Sequence, residues 1–427
     1  MQRVKGRHER HESSGVVAGV IGNVMEWYDF ALFGYLVSYI SGDFFPPGNE
    51  FAALLATWGI FAAGFVMRPL GGGLFGWIGD RVGRCTVLVL SVVLMALPTF
   101  GLGVLPTYAG IGIAAPLLLV LIRLIQGLSV GGEFSGSVTY MVETAPRDRR
   151  GISGSWANVG SMVGMLLGSG IATGVTNLLP EAMVREWGWR IPFVLGGILG
   201  LFAFFEVRKL HEDHCEQREK KHLTRSPLKE ALTKDMGKTL TAIAYTAGYG
   251  VIFYIPLVYL PNYIHEHIGM NLENAMIINT LATFLLIFFI PLFAWLSDTL
   301  MRRKTILSLA FVFLVLGSFP LFLLLQQGDY LLILLIQLVF ALVIAVPLGV
   351  SPALLVELYP AEDRLTGYSL AYNLGLGVVG GTTPMMCAWL INTTGSTLAP
   401  ALYLAGLSAV SLTGVLLMRD RSREELQ

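Results

Sequence analysis

Gly76-Trp77-Ile78-Gly79-Asp80-Arg81-Val82-Gly83-Arg84 is the segment of this chain that most constrains its fold. It is short and polar, and it separates two apolar runs that are each long enough to cross a bilayer. A looser copy, Ser297-Asp298-Thr299-Leu300-Met301-Arg302, separates two apolar runs in the second half of the chain. The same polar connection between membrane spans therefore occurs twice, which indicates a duplicated unit.

A second motif recurs at nearly the same offset. Glu143-Thr-Ala-Pro146-Arg-Asp-Arg-Arg150 and Glu357-Leu-Tyr-Pro360-Ala-Glu-Asp-Arg364 share the spacing E-x2-P-x3-R. Two independent motifs that recur together predict two homologous halves of six helices each. Parallel repeats of this kind are a known transporter architecture.

The composition predicts a membrane protein. The chain has 427 residues, of which 54% are apolar and only 14% charged, and its mean hydropathy is +0.65, so an ordinary soluble globule is excluded. We predict an all-α membrane protein with two pseudo-symmetric six-helix bundles, because twelve apolar runs are long enough to span a bilayer. These runs lie at 15–40, 52–78, 86–105, 111–142, 152–178, 189–207, 239–263, 274–297, 304–325, 330–357, 365–392 and 398–418.

The basic residues predict the orientation of the chain. All but four of the 29 Lys and Arg residues lie at the termini and in alternate gaps between the runs. Cytoplasmic loops retain Lys and Arg, so both termini and these gaps are expected in the cytoplasm. The predicted divisions are an N-terminus at 1–14, a first bundle at 15–207, a linker at 208–238, a second bundle at 239–418 and a C-terminus at 419–427.

Ionisable side chains also occur at mid-depth in three spans of the first half. A charge near the bilayer centre is costly, so such residues usually face a cavity or a partner and act there. Glu26 and Asp29 share one face of the first span, and Glu133 lies in the fourth. Buried carboxylates beside arginines can bind and release protons, so we predict Asp29 and Glu133, followed by Glu26, as proton-coupling residues. The alternative is that the acids and arginines only neutralise each other for insertion.

Candidate substrate ligands lie at a similar depth. Arg123 and Arg68 can each offer a planar guanidinium group to a substrate carboxylate. For Arg68, the following Pro-Leu-Gly-Gly also suggests a helix-packing role. Aromatic residues at every fourth position of the seventh span are typical of packing, although they could face a quaternary ammonium. The predicted substrate-binding residues are Arg123, Arg68, Gln126, Asn23, Tyr249, Tyr372 and Asn373.

Charged residues in the inward loops predict a cytoplasmic gate. Ion pairs between neighbouring helix ends in each half would hold the cavity closed inside and open outside. The alternative is that these positive charges only fix the orientation of the chain. The predicted gate residues are Asp80, Arg84, Glu143 and Arg150 in the first half, and Asp298, Arg302, Glu357 and Arg364 in the second.

The segment Gly76–Arg84 resembles the loop signature of the major facilitator superfamily. Further motifs resemble its metabolite:proton symporter branch, which includes carriers for proline and betaine, 2-oxoglutarate, citrate and shikimate. In the C-terminal loop, Thr299 and Met301 depart from the family pattern, which weakens the gate expected there. The motifs are Gly22-Asn23-Val-Met-Glu26-Trp27-Tyr28-Asp29-Phe30, Met67-Arg68-Pro69-Leu-Gly71-Gly72, Arg123-Leu-Ile-Gln126-Gly127-Leu-Ser129-Val-Gly131-Gly132-Glu133 and Glu186-Trp187-Gly188-Trp189-Arg190-Ile-Pro192-Phe193.

This resemblance implies the major facilitator fold and transport by alternating access. We predict a proton-coupled symporter of a bacterial inner membrane that imports an organic acid or a zwitterion such as proline or betaine. We expect a monomer with no cofactor other than the proton as coupling ion, no metal and no nucleic-acid partner. A passive facilitator or exchanger and a non-transporting nutrient sensor are the alternatives. An enzyme is not expected, since no nucleophile–base pair or phosphate-binding loop occurs.

Overall fold

The computed structural model describes residues 20–72, 74, 84–131, 133–214, 236–361 and 364–426, and these ranges contain helices and connecting loops but no strand. Ten of the helices are long and apolar enough to cross a membrane. Two further long helices lie at 20–44, with a turn at Leu36, and at Arg84–Val104. The predicted twelve-helix architecture is therefore confirmed.

The twelve helices are numbered α1 to α12 in chain order. In the first half they are α1 (20–44), α2 (Glu50–Gly72), α3 (Arg84–Val104), α4 (Ala114–Thr144), α5 (Arg150–Leu178) and α6 (Ile191–His214). In the second half they are α7 (Met236–Ile268), α8 (Leu272–Thr299), α9 (Arg303–Leu325), α10 (Tyr330–Leu358), α11 (Arg364–Thr394) and α12 (Ala399–Leu417). α6 continues beyond 207, where the linker was expected to begin, and 215–235 of that predicted linker lie outside the described residues.

Local sequence explains where several of these helices begin and end. The Asn49 side chain accepts a hydrogen bond from the Ala52 N–H at 2.9 Å, and Asp329 accepts one from the Leu332 N–H at 2.8 Å. These side chains cap α2 and α10 by satisfying N–H groups that lack a partner within the helix. α11 ends at Thr394, and the following Gly395 has a φ of 67°, in the left-handed region that glycine adopts without strain.

The two halves meet along a continuous helix interface. Within the halves, α3 packs against α6, α2 against α4, α7 against α11 and α12, and α8 against α10. Between the halves, α5 contacts α8 and α10, α2 contacts α11, and α4 contacts both α10 and α11. α7 is the most enclosed of the ten spans. In its apolar 18-residue stretch 89% of the residues are buried, against 39–61% in the other spans. The side chains of α7 are therefore well placed to contribute to an internal site.

Wide π-type turns interrupt the two helices that line the centre from the second half. In α7 they cover Ile255–Tyr259 and Ile264–Ile268, and in α11 they cover Asn373–Gly380. Prolines within the α7 stretch lack an N–H, so carbonyl groups there are free to accept other hydrogen bonds. Gln337 donates to the Pro256 carbonyl at 2.8 Å, and Asn279 donates to the Leu257 carbonyl at 3.2 Å. Such turns occur frequently at functional sites.

Glycines bring the backbones of α2 and α4 into direct contact. A methyl group added at Gly127 would come within 1.9 Å of the Gly64 carbonyl oxygen, and one added at Gly131 within 2.1 Å of the Arg68 carbonyl oxygen. The small-xxx-small spacing of α4 predicts this close packing. Gly132 and Gly136 repeat this four-residue spacing on α4 and predict a second close contact. That prediction is wrong at Gly136, which has no atom within 4 Å of the added group, and Gly132 lies outside the described residues. This seam fixes α2 relative to α4.

Candidate functional site

Two buried ion pairs join helices of the first half. Glu26 on α1 pairs with Arg68 on α2 at 2.6 Å, and Asp29 on α1 pairs with Arg123 on α4 at 2.5 Å. No side chain of the four is more than 4% exposed. The acids are one helical turn apart on the same face of α1, as the sequence predicts. The structure thus brings the predicted acids and arginines together, but as two separate pairs.

The Asp29–Arg123 pair belongs to a closed ring of hydrogen bonds within the first half. Arg123 Nη1 donates to Asp29 Oδ2 and, at 2.9 Å, to Gln126 Oε1. Gln126 Nε2 donates at 3.0 Å to the hydroxyl of Thr99 on α3, which lies 2.7 Å from Asp29 Oδ1. Both Asp29 oxygens are therefore paired, and Gln126, predicted as a substrate ligand, is engaged by the ring.

Thr99 is a member of this ring that sequence reasoning missed. Its hydroxyl has one proton and two acceptors in range, Asp29 Oδ1 at 2.7 Å and the Met95 carbonyl oxygen at 2.8 Å. It can donate to only one of them at a time. A threonine that bonds the carbonyl four residues earlier is ordinary in a helix, so nothing in the sequence distinguishes it.

The Glu26–Arg68 pair lies at the interface between the halves. The Arg68 guanidinium carbon is 4.3 Å from the ring centre of Phe65 and 4.9 Å from that of Phe30, in cation–π geometry. A methyl group added at Gly377 on α11 would lie 3.7 Å from Arg68 Cδ, so this arginine borders the second half. A change in the contacts between the halves would therefore alter the surroundings of Arg68 more directly than those of Arg123.

Aromatic residues from both halves surround this pair. The ring centre of Trp27, which follows Glu26 on α1, lies 4.8 Å from that of Phe253 and 6.3 Å from that of Tyr254 on α7. The Arg68 guanidinium is 5.7 Å from the Trp27 ring. The arrangement can bind a positive group on ring faces and a negative group on Arg68.

Tyr249, Tyr372 and Asn373 contribute mainly to helix contacts, whereas the Asn23 amide has no hydrogen-bond partner among the described residues. Tyr249 stacks on Tyr245 with ring centres 6.2 Å apart, and Tyr372 stacks on Phe134 at 4.6 Å. The Asn373 amide donates to the Gly131 carbonyl at 2.8 Å, which ties α11 to α4. Asn23 is fully buried on α1, one turn before Glu26. The side chain of Glu133 lies outside the described residues.

At the end of the second half that the sequence predicts to face the cytoplasm, Arg303 takes the place of one predicted gate residue. Arg303 donates to both oxygens of Glu357, at 2.8 and 2.9 Å, and pairs with Asp298 at 3.0 Å. The prediction of Arg302 is wrong, because Arg302 precedes α9 with extended backbone and its side chain is exposed. Arg303 is the first helical residue, and its side chain is only 1% exposed.

The sequence predicts ion pairs within each half, but further contacts at this rim join one half to the other. Glu143 pairs with Arg364 at 2.5 Å, and Arg150 lies 3.7 Å from Glu357. Asp298 also accepts the N–H groups of Gly151 and Ile152 at 2.9 and 3.0 Å, at the N-terminus of α5. Asp80 and the side chain of Arg84 lie outside the described residues.

The segment after α12 also contacts this rim. Arg150 Nη1 donates to the Glu424 carbonyl at 3.0 Å, and the Lys304 N–H donates to Asp420 at 3.0 Å. Burial alone would raise the pKa of Asp420, but hydrogen bonds from Ser422 and Lys304 outweigh it and hold that pKa below its ordinary value. The segment therefore links both halves at this rim.

Contacts also join the halves on the opposite side, which the sequence predicted to be open. The Asn262 amide on α7 donates to the Gly34 carbonyl on α1 at 2.8 Å, and Ser38 donates to Glu266 at 3.0 Å. Asn279 on α8 donates to the Tyr35 hydroxyl at 3.0 Å. The two ion pairs are therefore enclosed from both ends of the interface.

A family model and known relatives match this chain over nearly its whole length. The family model described as Major Facilitator Superfamily matches residues 19–371 and 249–427. The proline/betaine transporter of Escherichia coli K12 is 33% identical over 420 residues, covering 96% of this chain and 84% of that relative. The glycine betaine/proline/ectoine/pipecolic acid transporter OusA of Dickeya dadantii is 32% identical over 428 residues, with the same coverage of 96% and 84%.

Solved structures are similar at the level of the fold. The crystal structure of a D-xylose-proton symporter superposes with a TM-score of 0.76 at 18% identity, covering 97% of this chain and 99% of that one. The partially occluded inward-open form of the xylose transporter XylE from Escherichia coli also gives 0.76, at 19% identity, covering 98% and 100%.

Proposed function

Because this chain belongs to the major facilitator superfamily, in its metabolite:proton symporter branch, we propose that it is a proton-coupled symporter of a small zwitterion such as proline or glycine betaine. The chain is a multi-pass membrane transporter and not an enzyme. Import across the bacterial inner membrane, by a monomer with both termini in the cytoplasm, is part of the proposal.

The observation that carries this proposal is the Glu26–Arg68 pair between the two halves. A zwitterion has a carboxylate and an ammonium group close together. The carboxylate can take the place of Glu26 on Arg68 while the ammonium faces Glu26 and the neighbouring aromatic rings. Both protein charges then keep a partner, which matters because an unpaired charge in this buried site would be costly.

A di- or tricarboxylate fits this pair less well than a zwitterion. A second carboxylate close to Arg68 would approach Glu26, and two negative charges in a low-dielectric site repel strongly. Glu26 would then have to be protonated whenever such a substrate is bound. The zwitterion needs no such change, and the names of the relatives favour it as well.

The proton is assigned to Asp29 in the proposal. Its ring with Arg123, Thr99 and Gln126 lies within one half, so Asp29 can change its charge without direct contact with substrate. Glu26 and Asp29 share one face of α1, so a movement of α1 that admits substrate at Glu26 also changes the position of Asp29 relative to Arg123. Glu26 is the next candidate carrier, and Glu133 is retained from the sequence argument.

Alternating access would use the contacts at the two ends of the interface. Opening toward the cytoplasm requires the Glu143–Arg364 and Arg150–Glu357 contacts to separate, together with the bonds from Gly151 and Ile152 to Asp298. Opening outward requires the Asn262 and Ser38 contacts to separate. Rocking of one half against the other around a central site is the usual mode for such repeats.

The test is uptake into proteoliposomes with an imposed proton gradient, acidic outside. Labelled glycine betaine and L-proline are expected to accumulate above equilibrium, and a protonophore should abolish the accumulation. A passive facilitator would equilibrate both without accumulation, and a sensor would bind them without counterflow. Absence of gradient-driven accumulation of either compound contradicts the proposal.

The Asp29→Asn variant tests the assignment of the proton. It should lose accumulation under the gradient and retain counterflow, which needs no net proton movement. Glu181→Gln is the matched control, because it neutralises an exposed carboxylate that pairs only with Arg185 in the described residues, and it should keep full accumulation. Full accumulation by Asp29→Asn would move the proton to another acid.

A further inference from the structure

We infer that Trp27 and Tyr254, one from each half, bind the substrate carboxylate together with Arg68. The inference rests on the proposed function and names two residues that the sequence did not single out. It concerns which atoms hold the negative end of the substrate, and it follows from hydrogen-bonding groups that are buried without a partner.

Three donors around the ion pair lack a hydrogen-bond partner among the described residues. They are Trp27 Nε1, Tyr254 Oη and Arg68 Nε. All three side chains are no more than 3% exposed. A buried donor without a partner costs about 1–3 kcal/mol, and most buried polar groups in folded proteins are satisfied. Three such donors in one place therefore point to a missing acceptor.

These donors belong to one cluster. The Trp27 ring lies 6.3 Å from the Tyr254 ring and 5.7 Å from the Arg68 guanidinium carbon. Phe65 packs against two of these side chains, with its ring centre 4.3 Å from the Arg68 guanidinium carbon and 5.2 Å from the Tyr254 ring centre. The three donor side chains therefore form one cluster beside the Glu26–Arg68 pair.

The chemistry of the donors selects a carboxylate. The indole and guanidinium nitrogens can only donate, so the ligand atoms opposite them must be acceptors. A carboxylate has two oxygens and about four lone-pair positions, enough for all three donors. An alcohol or an amide at the same place offers fewer acceptor positions and no charge, and would leave donors unsatisfied.

The location of the donors also links binding to closure. Trp27 is on α1 in the first half, and Tyr254 is on α7 in the second. A carboxylate that accepts from both ties the halves together at the centre of the interface. Substrate would then favour the enclosed arrangement in which both ends of the interface are joined.

Tyr254→Phe removes the hydroxyl and keeps the ring, and Trp27→Phe removes the indole N–H. Binding of L-proline and glycine betaine to the purified protein should weaken about 10- to 100-fold in each variant, as expected for loss of a hydrogen bond to a charged group. Tyr28→Phe is the matched control, because its hydroxyl donates to the Pro192 carbonyl at 2.6 Å within the first half. Its affinity should match that of the unaltered protein.

Prolinamide and choline, which lack the carboxylate, separate a carboxylate contact from general damage to the site. Their weaker binding should be the same in Tyr254→Phe as in the unaltered protein. An equal fold-loss for L-proline and prolinamide would overturn the inference, as would unchanged affinity for L-proline in both variants. Failure of L-proline, glycine betaine, 2-oxoglutarate, citrate and shikimate all to bind the unaltered protein would overturn it as well.

Binding without a gradient keeps this inference distinct from the proposed function. If the unaltered protein binds carboxylate substrates but does not accumulate them under a proton gradient, the proposed symport is contradicted and the inference is not. Normal symport with a binding site insensitive to both substitutions counts against the inference alone. Thermal unfolding of each variant identifies a folding defect, and Trp27→Phe provides the decisive comparison if Tyr254→Phe does not fold.

Discussion

The two buried ion pairs use the same chemical groups in different surroundings. Asp29 and Arg123 lie within one half, where Arg123 and Thr99 bond the two Asp29 oxygens and Gln126 bonds both Arg123 and Thr99. Arg123 Nε and Nη2 have no partner among the described residues. Glu26 and Arg68 lie between the halves, with aromatic faces around them and donors that have no partner in the described part of the chain. The Asp29 oxygens are already paired and gain little from a ligand, whereas the Trp27 and Tyr254 donors beside Arg68 gain an acceptor from a carboxylate.

The difference suggests a division of roles within a single turn of α1. The enclosed pair can hold or release a proton with its neighbours in place, and the interfacial pair can exchange partners with a zwitterion. Because both acids are on one helix, the two events are mechanically connected.

The largest expected effect is that of Arg68→Gln, which leaves Glu26 buried without its partner. Breaking a buried pair in this way costs about 3–5 kcal/mol of stability, and substrate binding should be lost. The double variant Glu26→Gln/Arg68→Gln should recover most of the stability but not the binding. Thermal unfolding and calorimetric binding measure the two quantities. Binding retained by the double variant would contradict the role of this pair.

Arg303, a buried arginine away from the two central pairs, provides a comparison for Arg68→Gln. Arg303→Gln should cost a similar ~3–5 kcal/mol, because Glu357 and Asp298 lose their common partner. Zwitterion affinity should change little, and counterflow should change in rate, since only the rim is altered. Arg302→Gln removes an exposed charge next to it and should be nearly neutral. Equal effects of the two substitutions would contradict the register described for α9.

Gly127→Ala should disturb both pairs at once. The added methyl group would meet the Gly64 backbone, and overpacking of this kind costs about 1–3 kcal/mol. The separation of α2 from α4 should weaken both substrate binding and proton-driven accumulation. Gly136→Ala, also on α4, has open space and should be tolerated. If Gly127→Ala affected only one of the two activities, the arginines would not depend on a common seam.

The smallest expected effect is that of Thr99→Val. It removes one donor from Asp29 and should cost about 0.5–1.5 kcal/mol of stability. Accumulation under a proton gradient should fall while the affinity for glycine betaine stays the same. Thr57→Val is the control, because the Thr57 hydroxyl bonds only its own helix, at the Ala53 carbonyl. A change in affinity caused by Thr99→Val would show that the two pairs are not separate.

Much of the fold could be predicted, because the length of each apolar run and the charges of the loops beside it can be read directly from the local sequence. The acids and arginines were also predictable, because an ionisable side chain in an apolar run is conspicuous. Their pairing was not, since Glu26 and Asp29 share one face and only the relative heights of α2 and α4 decide which arginine each meets. The choice of Arg303 over Arg302 depends on where α9 begins, and boundaries are uncertain by a few residues.

The glycine seam between α2 and α4 also has a consequence for engineering new specificity. Positions 127 and 131 meet main-chain atoms rather than side chains, so no rotamer change can absorb a larger residue there. Tyr254 and Phe253 of α7, by contrast, meet other rings, which can repack. A library intended to alter the transported compound should therefore randomise the α7 positions that face Arg68 and keep the seam glycines constant.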